Sequence, residues 1–197
     1  LIKYEKENSD IERTYILHNS FRAEYTFDVE RLIIDNQSFT SKKLRNISFD
    51  NLHFLNCEFT ECDIDEFTVW NSIFENCNFS ATKIGKTSFF ECDFINCTFN
   101  GCMAAYLQFS DSSLSNIQFN YCKELLELYF GGVISSNVNF RNSNIAHTRF
   151  EPNLTGDEDL NYHFNTCEIS HCYFDNNDLT KSKFDDCVLM KSIFANC

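Results

Sequence analysis

The sequence predicts an all-β fold of stacked, repeating coils, and three observations predict it. Every fifth residue from Val29 to Phe119 is apolar, nineteen in succession. At 43% apolar content such a run has a chance on the order of 10⁻⁷ in a given register, and neither an amphipathic helix nor an alternating strand has this period. Two positions before the central residue usually stands a small one, often Cys (Cys57, Cys62, Cys77, Cys92, Cys97, Cys102, Cys167, Cys172, Cys187, Cys197) or else Ser or Thr, as at Ser72, Thr82 and Thr87, with the larger Ile47, Leu52, Phe67, Leu107 and Ile117 as exceptions. Finally, the composition is extreme in the two residue types that fill these slots, with 22 Phe and 11 Cys against five Gly and one Pro. Cys122 joins the same slot if the register continues through Glu124, so all the cysteines share one structural position and none has zinc-ligand spacing.

Each segment follows from that period. Residues 1–28 lack it but carry Ile11, Tyr15, Ile16, Leu17, Phe21, Tyr25 and Phe27, as expected of a cap over the first coil. Residues 29–119 are the regular coils. Residues 120–163 are interrupted: Asn120 to Gly132, with Leu125, Leu126, Leu128, Tyr129 and Phe130, reads as a short helix in a projecting loop, and Glu151 to Leu160 as a second loop with the acids Asp157, Glu158 and Asp159. Between the loops Phe140, Ile145 and Phe150 keep the period one residue out of phase. Phe164 to Phe194 restores the original phase, because Phe119 and Phe164 are nine whole fives apart. Cys197 sits in the small slot of a pentad whose centre is missing, which predicts that residues 164–197 are cut before the true C-terminus.

Cys62-Asp63-Ile64-Asp65-Glu66, Cys77-Asn78-Phe79-Ser80-Ala81, Cys92-Asp93-Phe94-Ile95-Asn96 and Cys97-Thr98-Phe99-Asn100-Gly101 fit a motif of small, polar, central Leu or Phe, polar, polar. From Ile34 to Cys197 the chain therefore resembles the pentapeptide-repeat family, departing from it in preferring Phe to Leu and in the interruption at 120–163. The resemblance implies a right-handed quadrilateral parallel β-helix with four pentads per coil, so that residues 20 apart stack. Phe59, Phe79 and Phe99 then form one internal column, Phe54, Phe74 and Phe94 another, and Cys57, Cys77 and Cys97 a ladder of free thiols, as expected in a reducing cytoplasm.

Charge narrows the function. Sixteen basic against 29 acidic residues give a net charge of −13, which argues against nucleic acid or an anionic membrane as direct partner and for a protein with a basic surface. Residues 46–120 hold ten acids and only Lys83 and Lys86 as bases, about one net charge per 2.2 Å of axis against roughly one per 1.7 Å in duplex DNA. No phosphate loop, nucleophile elbow or metal-ligand spacing is present, so the reading is a non-enzyme without cofactor or metal. Within the family the acidic rod is similar to quinolone-resistance and microcin-resistance members, which implies a DNA mimic that engages gyrase or topoisomerase IV. The alternative is an interaction domain of a larger protein, such as a secreted bacterial effector. A third resemblance, to the Phe-rich luminal repeats of synaptic vesicle glycoproteins, is disfavoured by the thiols. The candidate partner-binding residues are Glu58, Glu61, Asp63, Asp65, Glu66, Trp70, Phe90, Leu126, Tyr129, Phe130, Asp157, Glu158 and Asp159. Trp70 and Phe90 should stack outside the coils, as a patch for a partner or for a homodimer.

Overall fold

The computed structural model describes residues 10–11, 31–152 and 161–197, and over these the chain is a parallel β-solenoid of 23 short strands with no helix. Strands pair with the strand one coil away, in two sheets of 15 and eight strands. The larger sheet carries two faces of each coil and the smaller one, with the isolated bridges from Ser38 to Gln118, the other two.

Four internal columns result. Face 1 stacks Ile34, Phe54, Phe74, Phe94 and Leu114. Face 2 stacks Phe39, Phe59, Phe79, Phe99, Phe119, Phe140, Phe164 and Phe184, with ring centroids 4.7–5.0 Å apart throughout. Face 3 stacks Leu44, Ile64, Ile84, Ala104, Leu125, Ile145, Ile169 and Leu189. Face 4 stacks Phe49, Val69, Phe89, Phe109, Phe130, Phe150, Phe174 and Phe194. Phe54, Phe59, Phe74, Phe79, Phe94, Phe99, Cys57, Cys77 and Cys97 are all buried. Burying one such ring contributes roughly 1.5–3 kcal/mol, so the stability of the rod lies in these columns. In the last described coil Leu189 and Phe194 stand exposed.

The other two slots of the pentad have their own physical reasons. The small residue is chosen for its hydrogen as well as its size. Cys57, Cys77 and Cys97 Sγ donate to the carbonyls of Ile34, Phe54 and Phe74, the central residues of the preceding coil, at 3.1–3.3 Å, and Thr82 Oγ1 donates to that of Phe59 at 2.6 Å. Two residues after most centres the backbone turns the corner through left-handed φ. Twenty-six non-glycine residues lie there, and twelve are Asn, whose short amide tolerates that region. On the corner between faces 1 and 2 these amides form a ladder, each of Asn76, Asn96, Asn116 and Asn137 donating to the Asn one coil earlier at 3.0–3.2 Å.

The expected helix and projecting loop over 120–132 are corrected. Glu124–Leu126 and Tyr129–Gly131 are strands in the stack, with Leu125, Leu128, Phe130 and Val133 buried. Cys102 and Cys122 remain 20 residues apart, their sulfurs 3.5 Å from one another, whereas Met103 pairs with Glu124, 21 residues on. The interruption is therefore one extra residue, Lys123, at a corner, and the centre after Cys122 is Leu125 rather than Glu124. The apolar cluster that suggested a helix is two ordinary pentads displaced by one. A second excess lies between Phe150 and Tyr162, because Phe140 pairs with Phe164 and Phe150 with Phe174, 24 residues on. One and four extra residues make five, which is why the original phase returns.

Between these displacements Ser135 takes the face 1 position that is Ile, Phe or Leu in the coils before it. The fully buried ring of Tyr162 compensates, in the slot that Ile117 and Val138 hold in the two preceding coils, packing 5.2–6.4 Å from Phe130, Phe140, Phe150 and Phe164. The cap expected at 1–28 lies outside the described residues apart from Asp10–Ile11, which pairs with Lys43–Leu44 on face 3. Asp157, Glu158 and Asp159 also lie outside them.

Candidate binding surface

Outward side chains alternate with the centres, so a strand that crosses a corner shows residues on two faces. Asp63–Trp70 is such a strand, and it carries Asp63 and Asp65 on face 3, Glu66 at the corner and Trp70 on face 4. Glu58 and Glu61 precede them on face 2 and at the corner between faces 2 and 3. Five carboxylates thus follow one another around one side of a single coil. Several are already positioned: Asp63 pairs with Arg45, Glu61 accepts from Ser41 Oγ at 3.0 Å, and Lys86 Nζ lies 4.0 Å from Glu66. Both groups of the last pair are largely exposed, so it contributes little to stability.

Asp65 marks the geometric irregularity of this face. Its Oδ1 accepts the backbone N–H of Lys86 at 3.2 Å. It also lies where a Cβ on residue 85 would be, 2.3 Å from that point, so Gly85 is glycine because the carboxylate fills its side-chain space. Along this corner the equivalents of Lys86, from Asn46 and Glu66 to His171 and Lys191, all have left-handed φ, and Lys86 does not. Below Gly85 the outward residue is Ala105, and Met103, Glu124 and Leu126 flank it. Together with Asp63, Asp65 and Lys83 these enclose a shallow recess of about 370 Å³ with a floor of Ile64, Ile84 and Ala104. The structure therefore brings Asp63, Asp65 and Leu126 together around one concavity, although they lie in different coils.

The remaining candidates lie elsewhere. Trp70 and Phe90 stack on face 4 with centroids 4.1 Å apart and ring planes 16° from parallel, and Trp70 is exposed. Tyr129 lies on face 4 across Gly131 and donates its hydroxyl to Glu151 at 2.7 Å, and that carboxylate raises its pKa. Phe130 is corrected: it is 1% exposed in the face 4 column between Phe109 and Phe150 and cannot touch a partner. Gly85, Met103, Ala105 and Glu124 were not anticipated. Their only sequence signal is the loss of polar outward residues at Met103, Gly85 and Ala105, which is visible once the faces are known.

The thiols are chemically quiet. All eleven cysteines are unpaired, and nine are buried. Burial pushes the Cys92 thiol up to about 12 and that of Cys167 to about 11. Cys102, which donates to Cys122, is held well above the usual thiol range by that bond and by burial.

Over residues 14–104, fewer than half of the chain, the sequence matches the family described as the SV2A/B/C luminal domain. No curated protein sequence matches. Among solved structures the chain is similar to full-length QnrB1, a plasmid-mediated fluoroquinolone resistance protein, at 16% identity over 84% of this chain and 87% of that one, with a TM-score of 0.40. It is also similar to HetL, a pentapeptide-repeat protein involved in heterocyst differentiation regulation in the cyanobacterium Nostoc, at 13% identity over 84% and 88% of the two chains with a TM-score of 0.44. Rfr23, a pentapeptide-repeat protein of the cyanobacterium Cyanothece, follows at 6% identity over 80% and 90% with a TM-score of 0.21. The fold assignment rests on the five-residue period and the coil-to-coil register described above, not on these scores.

Proposed function

We propose that this pentapeptide-repeat solenoid is a non-catalytic scaffold that binds the basic surface of a protein partner. The observation that carries the reading is the series Glu58, Glu61, Asp63, Asp65 and Glu66 around one side of one coil, beside the recess on face 3. A rigid, closely spaced array of carboxylates loses little conformational entropy on binding and steers a cationic surface toward itself. The non-catalytic part is supported by Cys92 and Cys167, whose thiols burial keeps protonated and poorly nucleophilic. Reducing surroundings such as the cytoplasm fit the same thiols. Maleimide labelling of the denatured protein immediately after lysis tests that, and recovery of oxidised Cys102 and Cys122 would place the chain elsewhere.

A narrower second reading is favoured by where the remaining acids lie. Asp50, Glu91, Asp93 and Asp111 gather along the corner between faces 4 and 1, diagonally opposite the corner flanked by Glu61 and Asp63, and Glu75 lies on face 1. Two acidic edges on opposite sides of a rod resemble the two phosphate lines of duplex DNA, and a DNA-binding saddle such as that of a type II topoisomerase accepts such a shape. Supercoiling by purified gyrase, titrated with this chain, tests the narrower reading. Inhibition or drug protection that is lost in Asp63→Lys/Asp65→Lys/Glu66→Lys supports it, and no effect at tens of micromolar removes it. The broader reading fails if the same triple variant leaves capture of every basic partner unchanged at low salt.

A further inference from the structure

We propose that the face 3 recess takes one basic side chain of the partner, with its charged head at Asp65 and its aliphatic stem across Ala105. The inference rests on the binding reading above and specifies the chemistry of its central contact.

Size comes first. Asp65 and Leu126 are three coils apart, about 14 Å at the usual strand spacing, long enough for an extended Lys or Arg side chain and the residue beside it. The floor of Ile64, Ile84 and Ala104 is left open because the outward residues over it, Gly85 and Ala105, have almost no side chain, and the walls are apolar: Met103 and Leu126 are each 39% exposed. An aliphatic stem can bury itself on such a floor while its head stays at the rim.

Charge decides the sign of the ligand. Asp63, Asp65 and Glu124 outnumber Lys83 on the lining, and Glu61 and Glu66 stand at the corners of the same coil, so an anionic side chain is repelled. Asp65 is the anchor because its carboxylate is already fixed, with one oxygen held by the Lys86 N–H and its body wedged over Gly85. A group held in place before binding costs little to order. Two tyrosines stand at the corners of face 3 at this level. Tyr121 and Tyr106 are 59% and 54% exposed and both have φ of 60°. Left-handed backbone is uncomfortable for an aromatic residue, and Asn fills many of the equivalent corners. Exposed aromatic rings at the rim favour a cation over a neutral group.

The test uses the whole chain and two end-blocked peptides, acetyl-Gly-Leu-Arg-Leu-Gly-amide and its Arg-to-Gln counterpart, followed by amide chemical-shift mapping. The Arg peptide is expected to shift the amides of Gly85, Ala105 and Leu126 and to bind at least fivefold more tightly than the Gln peptide. Ala105→Phe, which fills the recess from an outward position, and the isosteric Asp65→Asn should each weaken the Arg peptide at least fivefold, with thermal unfolding of both variants checked to confirm the fold. Thr98→Ala, on face 2, should leave the mapped site unchanged. Equal binding of the two peptides, shifts outside face 3, or full affinity in a folded Ala105→Phe overturns the proposal. If partner capture is still lost in the triple charge reversal, the scaffold reading survives that failure, so the two are separable.

Discussion

The coils built from residues 57–119 repeat every 20 residues, whereas every coil that takes in Lys123, in the region of residues 120–152, steps by 21, and the two regions pack alike. Phe99 lies 4.7 Å from Phe119 in the regular region, and Phe119 lies 4.9 Å from Phe140 across the displaced step. The rod therefore specifies columns, not a residue count. An added residue is harmless at a corner, where no inward side chain has to move, and ruinous inside a strand, where a shift of one turns the core outward.

The largest effect tests whether the displaced coils are as well packed as the regular ones. Phe79→Ala, between Phe59 and Phe99, should cost about 3–5 kcal/mol in urea unfolding, and Phe130→Ala, between Phe109 and Phe150, should cost the same within about 1 kcal/mol. A cost below about 1 kcal/mol at Phe130 alone would restore the projecting loop expected from sequence.

The next effect separates the regions by chemistry. Seven cysteines lie between Cys57 and Cys122, and none lies in 123–152, where Ser143 and Thr148 fill the same slot. Burial raises the folded pKa of Cys57, Cys62, Cys92 and Cys172, while at Cys77 a hydrogen bond donated to Cys97 acts first and burial second. An acid whose folded pKa is raised holds its proton in the fold after the unfolded chain has released it. Its stabilisation is complete below the unfolded value near 8.5–9 and is lost as pH rises toward the folded value, at about 1.4 kcal/mol per pH unit for each thiol. Hydrogen exchange between pH 8 and 10.5 should therefore show the amides around Cys77 and Cys92 losing protection before those around Phe140 and Ile145. Uniform loss across both regions would mean that the thiols do not set alkaline stability.

Deleting Lys123 sharpens the comparison at its boundary. The deletion turns Cys122-Lys123-Glu124-Leu125 into a regular pentad start and restores a 20-residue step, so the melting temperature should change by no more than the equivalent of about 1 kcal/mol. Deleting Gln108, inside the strand Leu107–Ser110, should abolish cooperative unfolding. Similar outcomes for the two deletions would show that the corner is not the point of tolerance.

How much of this was legible follows from which groups reveal themselves by type. The central and small slots were readable because Phe and Cys there have one dominant cause, burial. The displaced phase was half readable. Phe140, Ile145 and Phe150 announced it, and extending the series back through Phe130 to Leu125 would have exposed the single added residue, but five large apolar residues within six positions looked like a helix. The corner slot was not read, because Asn51, Asn71 and Asn96 serve backbone φ and a solvent-exposed polar residue hides that reason. The recess was least legible. It depends on Asp65, Ala105 and Leu126, which lie up to 61 positions apart and meet only through a register that itself shifts by one at Lys123.

The smallest effect concerns the outer surface, where the two regions do differ. On face 4 the regular coils carry Trp70 stacked on Phe90, and the next outward residues are Ser110 and Gly131. The ring stack is open to solvent, so removing one partner should cost only about 0.5–1.5 kcal/mol, well below the loss of a column residue. Trp70 is the only tryptophan, which makes the stack its own reporter. In Phe90→Ala the indole loses its cover on one side, and its emission should move to the red while the unfolding transition stays cooperative and nearly in place. A large fall in stability would mean that the outer stack helps to hold the coils together, and the view that their strength lies in the inner columns would have to be given up.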